Sequence, residues 1–243
     1  MNAAPPSLSI VIPIGPGDDT YATLLQRIAA SPIAAQVVLS GCEPLSPPRA
    51  DCARPDLELL EVHGPPGRAV QLNRGVDAAT CDTLWLMHAD SRPDARAFEA
   101  AAAFAERVRE QPMRLGWFPL AFAADGPWLA VLNAHGANLR SRLLKMPFGD
   151  QAWLISRRLF DEVGGFDEGF GRGEDLDFLV RARHFGACLS GLRPAIRTSA
   201  RRYRDHGWLA TTVAHLWLTL RLWLKARRRA GKRLHARIHS GTK

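Results

Sequence analysis

Over the first 110 residues, short apolar runs alternate with stretches whose apolar residues recur every three or four positions. These are the periods of buried strands and of the helices that cover them. Residues 9–14 form a compact β-branched run closed by Gly15, Pro16 and Gly17, and residues 20–30 carry Leu24, Leu25 and Ile28 at helical spacing. Residues 36–40 and 57–62 read as two more strands, separated by a Pro- and Arg-containing excursion over 43–55. A helix over 67–79, marked by Ala69, Leu72, Val76 and Ala79, leads into the apolar run Leu84, Trp85, Leu86 and Met87. That run is short and bounded by Asp82 before it and by Ser91, Arg92 and Pro93 after it, which predicts a buried strand. Strands alternating with helices imply an α/β fold with a Rossmann-like, mostly parallel central sheet flanked by helices.

After an alanine-rich helix predicted over 95–110 the rhythm changes. Residues 115–122 and 152–156 are strand-like, 127–144 and 174–185 helical, and Gly164, Gly165 and Phe166 break the chain after a short helix. This second half is expected to complete the sheet. The chain divides into a domain over 1–205 and an amphipathic, basic tail over 206–243.

With 243 residues, 47% of them hydrophobic, the chain can bury a substantial core as one domain. The net charge of +8 is unevenly spread: residues 201–243 hold twelve Lys or Arg and one acid, leaving the rest slightly acidic. In the tail, Trp208, Leu209, Leu216, Trp217, Leu220, Trp223 and Leu224 precede the cationic run 225–229. That order suits an anionic membrane surface, and equally a helix packed on the domain with a basic end. The apolar stretch is shorter than the roughly 20 residues that span a bilayer, and it contains His215 and Arg221. No nucleic-acid partner is expected, because tryptophans and leucines at helical spacing suit packing or lipid better than phosphate tracking. The polar, proline-containing residues 1–7 resemble no signal peptide, so a cytoplasmic protein is expected, peripheral on the inner membrane if the tail meets lipid. Cys42, Cys52, Cys81 and Cys188 form no CxxC pair and read as reduced thiols.

Asp90 follows a strand end, where open α/β sheets place their chemistry. Its carboxylate can hold a hard divalent cation against a diphosphate, or cap the next helix. It has company. Val11-Ile12-Pro13, Gly67-Arg68-Ala69 with Gln71-Leu72-Asn73 and Gly75, His88-Ala89-Asp90, Gly149-Asp150-Gln151-Ala152, Gly164-Gly165-Phe166 and Glu174-Asp175 follow in order. Together this set resembles family 2 glycosyltransferases of the GT-A fold. Thr198-Ser199-Ala200-Arg201-Arg202 is similar to the signature of one small bacterial branch of that family. The resemblance covers about residues 8–205.

The resemblance implies an inverting transfer of sugar from a nucleoside-diphosphate sugar, a UDP-sugar foremost, to an acceptor that the sequence does not identify; the tail suggests a lipid-linked one. It implies Mn²⁺ or Mg²⁺ on Asp90, which matches the last acid of the DxD motif, and Asp175 as general base with Glu174 binding the acceptor or orienting the base. Pro13, Asp18, Ser40, Arg68, Asn73, His88, Asp150, Gln151, Arg201 and Arg202 fall at nucleotide-sugar-binding positions. Each has a plain structural alternative: helix capping for Glu174 and Asp175, a carboxylate partner for Arg68, an Asx turn for Asp150, lipid head groups for Arg201 and Arg202. The glycines of 164–173 suit a mobile loop over the donor.

Three positions depart from the family pattern. Gly15-Pro16-Gly17-Asp18-Asp19 replaces an Asn-Glu pair, Ser40 replaces a uracil-reading aspartate, and His88 replaces the first acid of DxD. A neutral His88 could ligate the metal, bind ribose or support the ligands from behind. Two other readings remain open: a non-catalytic, membrane-associated nucleotide- or partner-binding module on the same fold, and a nucleotidyltransferase.

Overall fold

The computed structural model describes residues 6–46 and 54–240, with the side chains of Arg202, His206 and 230–240 outside the description. Cys52 and the middle of the excursion over 43–55 also lie outside the described residues. Strands β1 (Leu8–Ile14), β2 (Ala35–Gly41), β3 (Leu57–His63) and β4 (Thr83–Leu86) lie side by side and parallel. Helices α1 (Tyr21–Ala29), α2 (Arg68–Ala78) and α3 (Ala95–Glu110) connect or follow them, as the sequence periods predict. The seven-stranded sheet runs β3-β2-β1-β4-β7-β5-β8, with β5 at Arg114–Trp117, β7 at Leu154–Ser156 and β8 at Cys188–Gly191. Strand β7 is antiparallel to both its neighbours, so the sheet is mostly parallel with one reversed member.

Two apolar cores explain why the central strands read as unbroken apolar runs: a strand covered on both faces has no polar side. Ile10, Ile12, Val37, Leu39 and Trp85 meet α1 and α3 on one face. Val11, Val38, Leu84 and Leu86 face α2, α5 (Arg157–Val163) and α6 (Glu174–His184) on the other.

The single strand expected over 115–122 is two. β5 ends at Trp117, and β6 (Leu120–Phe122) leaves to pair with β9 (Ile196–Thr198) in a separate two-stranded sheet. Pro119 stands at the break and has no N–H to continue a ladder. Strands β8 and β9 have no counterpart in the sequence reading. At four and three residues they carry no extended apolar run, and they exist through pairing with β5 and β6. The helix expected over 127–144 is α4 (Ala130–Leu143). A short helix, α7 (Arg201–His206), ends the domain, and the tail forms a single long helix, α8 (Trp208–Ser240), packed against α6.

Candidate active site

The carboxyl ends of β1 and β2 are tied together by a residue from the helix above them. Gln71, buried in α2, donates through Nε2 to the carbonyls of Ile14 at 2.6 Å and Ser40 at 2.9 Å, satisfying acceptors at the ends of both strands. Helix α2 comes this close because Gly75 faces the sheet: a Cβ there would lie 2.4 Å from Val11 Cγ1. The first residue of α2, Arg68, is thereby held over the end of the sheet.

Arg68 is the hub of the cluster. One guanidinium nitrogen pairs with Glu174 Oε1 at the start of α6, and the other lies 2.7 Å from His88 Nε2 just past β4. Arginine can only donate, so His88 Nε2 is the acceptor in this contact. The backbone of Gly149 completes the enclosure, since a Cβ there would fall 2.5 Å from the Arg68 guanidinium. The Gly149 N–H donates to Asp175 Oδ2 at 2.8 Å, while the Leu176 N–H donates to Asp175 Oδ1, also at 2.8 Å. Arg68, His88, Gly149, Glu174 and Asp175, spread over more than 100 residues of chain, therefore form one contact network.

Asp150, next in sequence to Gly149, sits behind this network with Oδ1 enclosed and without a hydrogen-bond partner. Burial, aided by the charges of Asp175 and Asp90 and opposed by Arg140 and Arg68, pushes its pKa up to about 6. Arg140 of α4 lies over the Phe148 ring at 3.5 Å and donates through Nε to the Met146 carbonyl at 2.9 Å. Its own burial lowers its pKa, against the pull of Asp150 and Asp175. The turn carrying Gly149 and Asp150 ends at Ala152, a non-glycine residue with φ of 46°.

Asp90 lies beyond His88. Its Oδ2 accepts from Thr198 Oγ1 at 3.0 Å, which joins the end of β9 to the loop after β4. The Arg92 N–H donates to the Arg197 carbonyl, and the Ala200 N–H to Asp125 Oδ1 at 2.7 Å, so residues 197–200 are fastened beside the Asp90 loop. Burial pushes Asp125 upward, but hydrogen bonds from Ala200 and Ser199 and the nearby Arg92 hold it below the ordinary carboxylate range.

Among the described residues no group of three or more His, Cys, Asp or Glu is placed to hold a metal ion. The donor chemistry suits a cation that is completed by its substrate. Half-buried Asp90 makes its one hydrogen bond among the described residues through Oδ2, and hard cations such as Mg²⁺ take one or two carboxylates plus phosphate oxygens. His88 Nε2 is committed to Arg68 in this arrangement.

Other residues singled out in the sequence stand apart. Ser40 is fully buried, its hydroxyl enclosed and its carbonyl bound to Gln71. Pro13 is its register partner in β1. Gln151 is also fully buried, accepting from Ser141 and the Phe148 N–H and donating to the Phe118 carbonyl. Asp18 accepts from the Thr20 N–H and hydroxyl ahead of α1. Asn73 grips Phe166 by both its N–H and its carbonyl and reaches Glu168 at 2.9 Å, so its amide serves the glycine-rich loop. That loop is pinned rather than loose: Lys225 of α8 donates to the Phe170 carbonyl at 2.6 Å and Arg229 pairs with Asp167 at 3.1 Å. Arg201 is exposed at the start of α7, and only the backbone of Arg202 is described. Sequence reasoning missed Arg140, Asp125 and the strand-tying role of Gln71. Gln71 stood in a quoted motif, but its partners Ile14 and Ser40 lie 57 and 31 residues away, Asp125 meets Ala200 75 residues on, and Arg140 stands in no local pattern that would have marked it.

The mostly parallel seven-stranded sheet, with one reversed strand and helices on both faces, is a fold shared with glycosyltransferases. Comparison with solved structures agrees. The S. aureus TarS fragment in complex with UDP-GlcNAc matches with a TM-score of 0.59 and 16% identity over 79% of this chain and 58% of that one. The mannosyltransferase PcManGT from Pyrobaculum calidifontis, in complex with GDP-Man and Mn²⁺, matches with a TM-score of 0.63 and 16% identity over 93% of this chain and 67% of that one. This chain spans 36% of the longer TarS structure, so it corresponds to part of that protein. No protein-family model and no curated protein matches the sequence.

Proposed function

We propose that the chain is a metal-dependent, inverting family 2 glycosyltransferase that moves a sugar from a nucleoside-diphosphate sugar to an acceptor hydroxyl. The observation that carries this reading is the single network in which Arg68 joins His88 to Glu174, while Gly149, packed against Arg68, donates to Asp175. Neighbours of the same fold are solved with UDP-GlcNAc and with GDP-Man and Mn²⁺, which supports a UDP- or GDP-sugar donor.

In this mechanism the donor diphosphate takes over the guanidinium of Arg68, through charge-assisted hydrogen bonds, while Glu174 keeps that side chain at the mouth of the site. Asp90 would hold Mn²⁺ or Mg²⁺, which would supply Lewis-acid stabilisation of the departing nucleoside diphosphate. The acceptor oxygen forms the new bond to the anomeric carbon as the carbon–diphosphate bond breaks, and its proton passes to Asp175. The backbone N–H groups of Gly149 and Leu176 orient that carboxylate. Asp150, enclosed beside them, is assigned to the acceptor side, and Arg201, with Arg202 by the sequence resemblance alone, to the diphosphate.

Calorimetric titration with UDP, GDP, ADP and CDP, with and without Mn²⁺, tests the reading. Metal-dependent binding of one nucleotide is expected, lost in Asp90→Ala and kept in Asp175→Asn, with transfer in the latter down about 10²-fold or more. Burial of Ser40 and the engagement of His88 favour a second reading, a nucleotide- or partner-binding module without catalysis. Absence of diphosphate binding in the presence of metal would move the balance to partner binding.

A further inference from the structure

Helix α8 is apolar on two opposite sides, and only one is covered. The inner side carries Thr211, Leu222 and Ala226: Ala226 is fully buried, and Leu222 fills the space a side chain at Gly173 would need. The outer side carries Leu209, Val213, Leu216, Trp217, Leu220 and Leu224, one stripe in which only Leu216 and Trp217 are adjacent and the other steps are three or four residues, with Leu216 67% and Trp217 61% exposed. A surface helix of a soluble domain normally turns a polar face outward, so a second apolar stripe requires a partner.

Charge identifies that partner. Beside the stripe runs an open groove of about 680 Å³, lined by Arg172, Arg221 and Arg228 together with Trp217, Leu220 and Leu224, and among the described residues its lining contains no acid. Arg221 lies over the Trp217 ring at 5.3 Å, in the manner of a cation that keeps its head above an apolar layer. Near its start, α8 is tied to α4: Trp208 Nε1 donates to Asn133 Oδ1 at 2.6 Å, and Asn133 donates to Thr212 at 3.0 Å. Around this junction Trp128, Val131 and Leu132 are also exposed, Trp128 by 78%. No helix among the described residues is long and apolar enough to cross a membrane. Apolar side chains on two linked helices, with an acid-free cationic groove beside α8, match the surface of an anionic bilayer.

We infer that the outer face of α8, with the exposed start of α4, seats on an anionic lipid bilayer, its leucines and tryptophans entering the acyl boundary and Arg221 and Arg228 meeting lipid phosphates. The inner face of the same helix holds the loop before Glu174 and Asp175, through Leu222 at Gly173, Lys225 at Phe170 and Arg229 at Asp167. One helix thus joins the bilayer to the candidate active site. If the transfer reading holds, a lipid-linked acceptor reaches that site without leaving the membrane surface; the docking surface itself does not depend on that reading.

The full chain is mixed with phosphatidylcholine vesicles with and without phosphatidylglycerol, and bound protein is measured by co-sedimentation at low and high salt. Binding only to phosphatidylglycerol vesicles, weakened by salt, is expected. Trp217→Glu/Leu220→Glu and, separately, Arg221→Glu/Arg228→Glu should each weaken it about tenfold or more. All four positions point outward, so circular dichroism and the nucleotide titration should be unchanged in both variants. Equal binding by the variants, or no binding to anionic vesicles, would overturn the inference. So would a dimer in light scattering that the Trp217→Glu/Leu220→Glu variant dissociates while wild-type protein ignores vesicles, since the stripe would then serve a second copy of the chain. Vesicle binding without any nucleotide binding would sink the transfer reading and leave the membrane surface standing.

Discussion

Two carboxylates on the same face of the molecule are treated in opposite ways, and the difference is local. Asp175 receives backbone N–H donors at both oxygens, whereas Asp150 is enclosed with one oxygen unpartnered. The raised pKa of Asp150 has a definite sign in stability. Between 3.8 and about 6 the native state holds a proton that the unfolded chain has lost, so stability falls as pH rises through that window. Above it the charged group costs the native state up to about 3 kcal/mol. Asp150→Asn should therefore raise Tm at pH 7.5 and change it little at pH 3.5, as thermal unfolding at the two pH values would show. Asp177, 1% exposed, is paired: it receives Arg181 Nε at 2.8 Å, and Arg181 also donates to the Val163 carbonyl. Arg181→Met strands that carboxylate and should cost about 3 to 5 kcal/mol in urea unfolding, with Arg181→Met/Asp177→Leu recovering much of the loss.

At the scale of elements, the glycine-rich run 164–173 shows how a flexible sequence becomes a defined loop. Gly173 has φ of 87° and ends the loop at the first turn of α6, with Leu222 of α8 pressed where its side chain would be. Asn73 of α2 holds the other end through Phe166. Asn73→Ala leaves that backbone pair without partners. It should cost about 1 to 3 kcal/mol and speed amide exchange and proteolysis within 164–173, leaving exchange in β1 unchanged. The second element-scale lesson is β5 and β6. Their sequence reads as one strand because side-chain pattern alone says nothing about which sheet a segment joins, and Pro119 supplies the break that permits the switch.

Across the whole molecule, stability should follow burial in the sheet. Strand β2 is buried at every position, while β8 at the opposite edge is exposed or half-exposed throughout. Hydrogen exchange should therefore be slowest in β1 and β2 and fastest in β8, and uniform exchange across the sheet would contradict this gradient. The same architecture sets the site: the parallel half presents the ends of β1, β2 and β4, and the second half returns through the turn at Gly149 and the start of α6 to close over them.

The central strands and α1 to α3 were legible in the chain because two-sided burial demands unbroken apolar runs, and helices on a sheet demand apolar residues at every third or fourth position. Asp90, Arg68, Glu174 and Asp175 were singled out in the chain as candidates by the family resemblance of their motifs, and folding brings Arg68, Glu174 and Asp175 into one network. Tertiary structure alone decided the rest. It reversed β7, split β5 from β6, and created β8 and β9 from segments with no pattern of their own, because a short strand is stabilised by its partner's hydrogen bonds rather than by its own sequence. It also spent Gln151, Asn73 and Ser40 inside the fold and gave Arg68 to both His88 and Glu174, because buried polar groups must be satisfied by whatever the folded chain brings beside them.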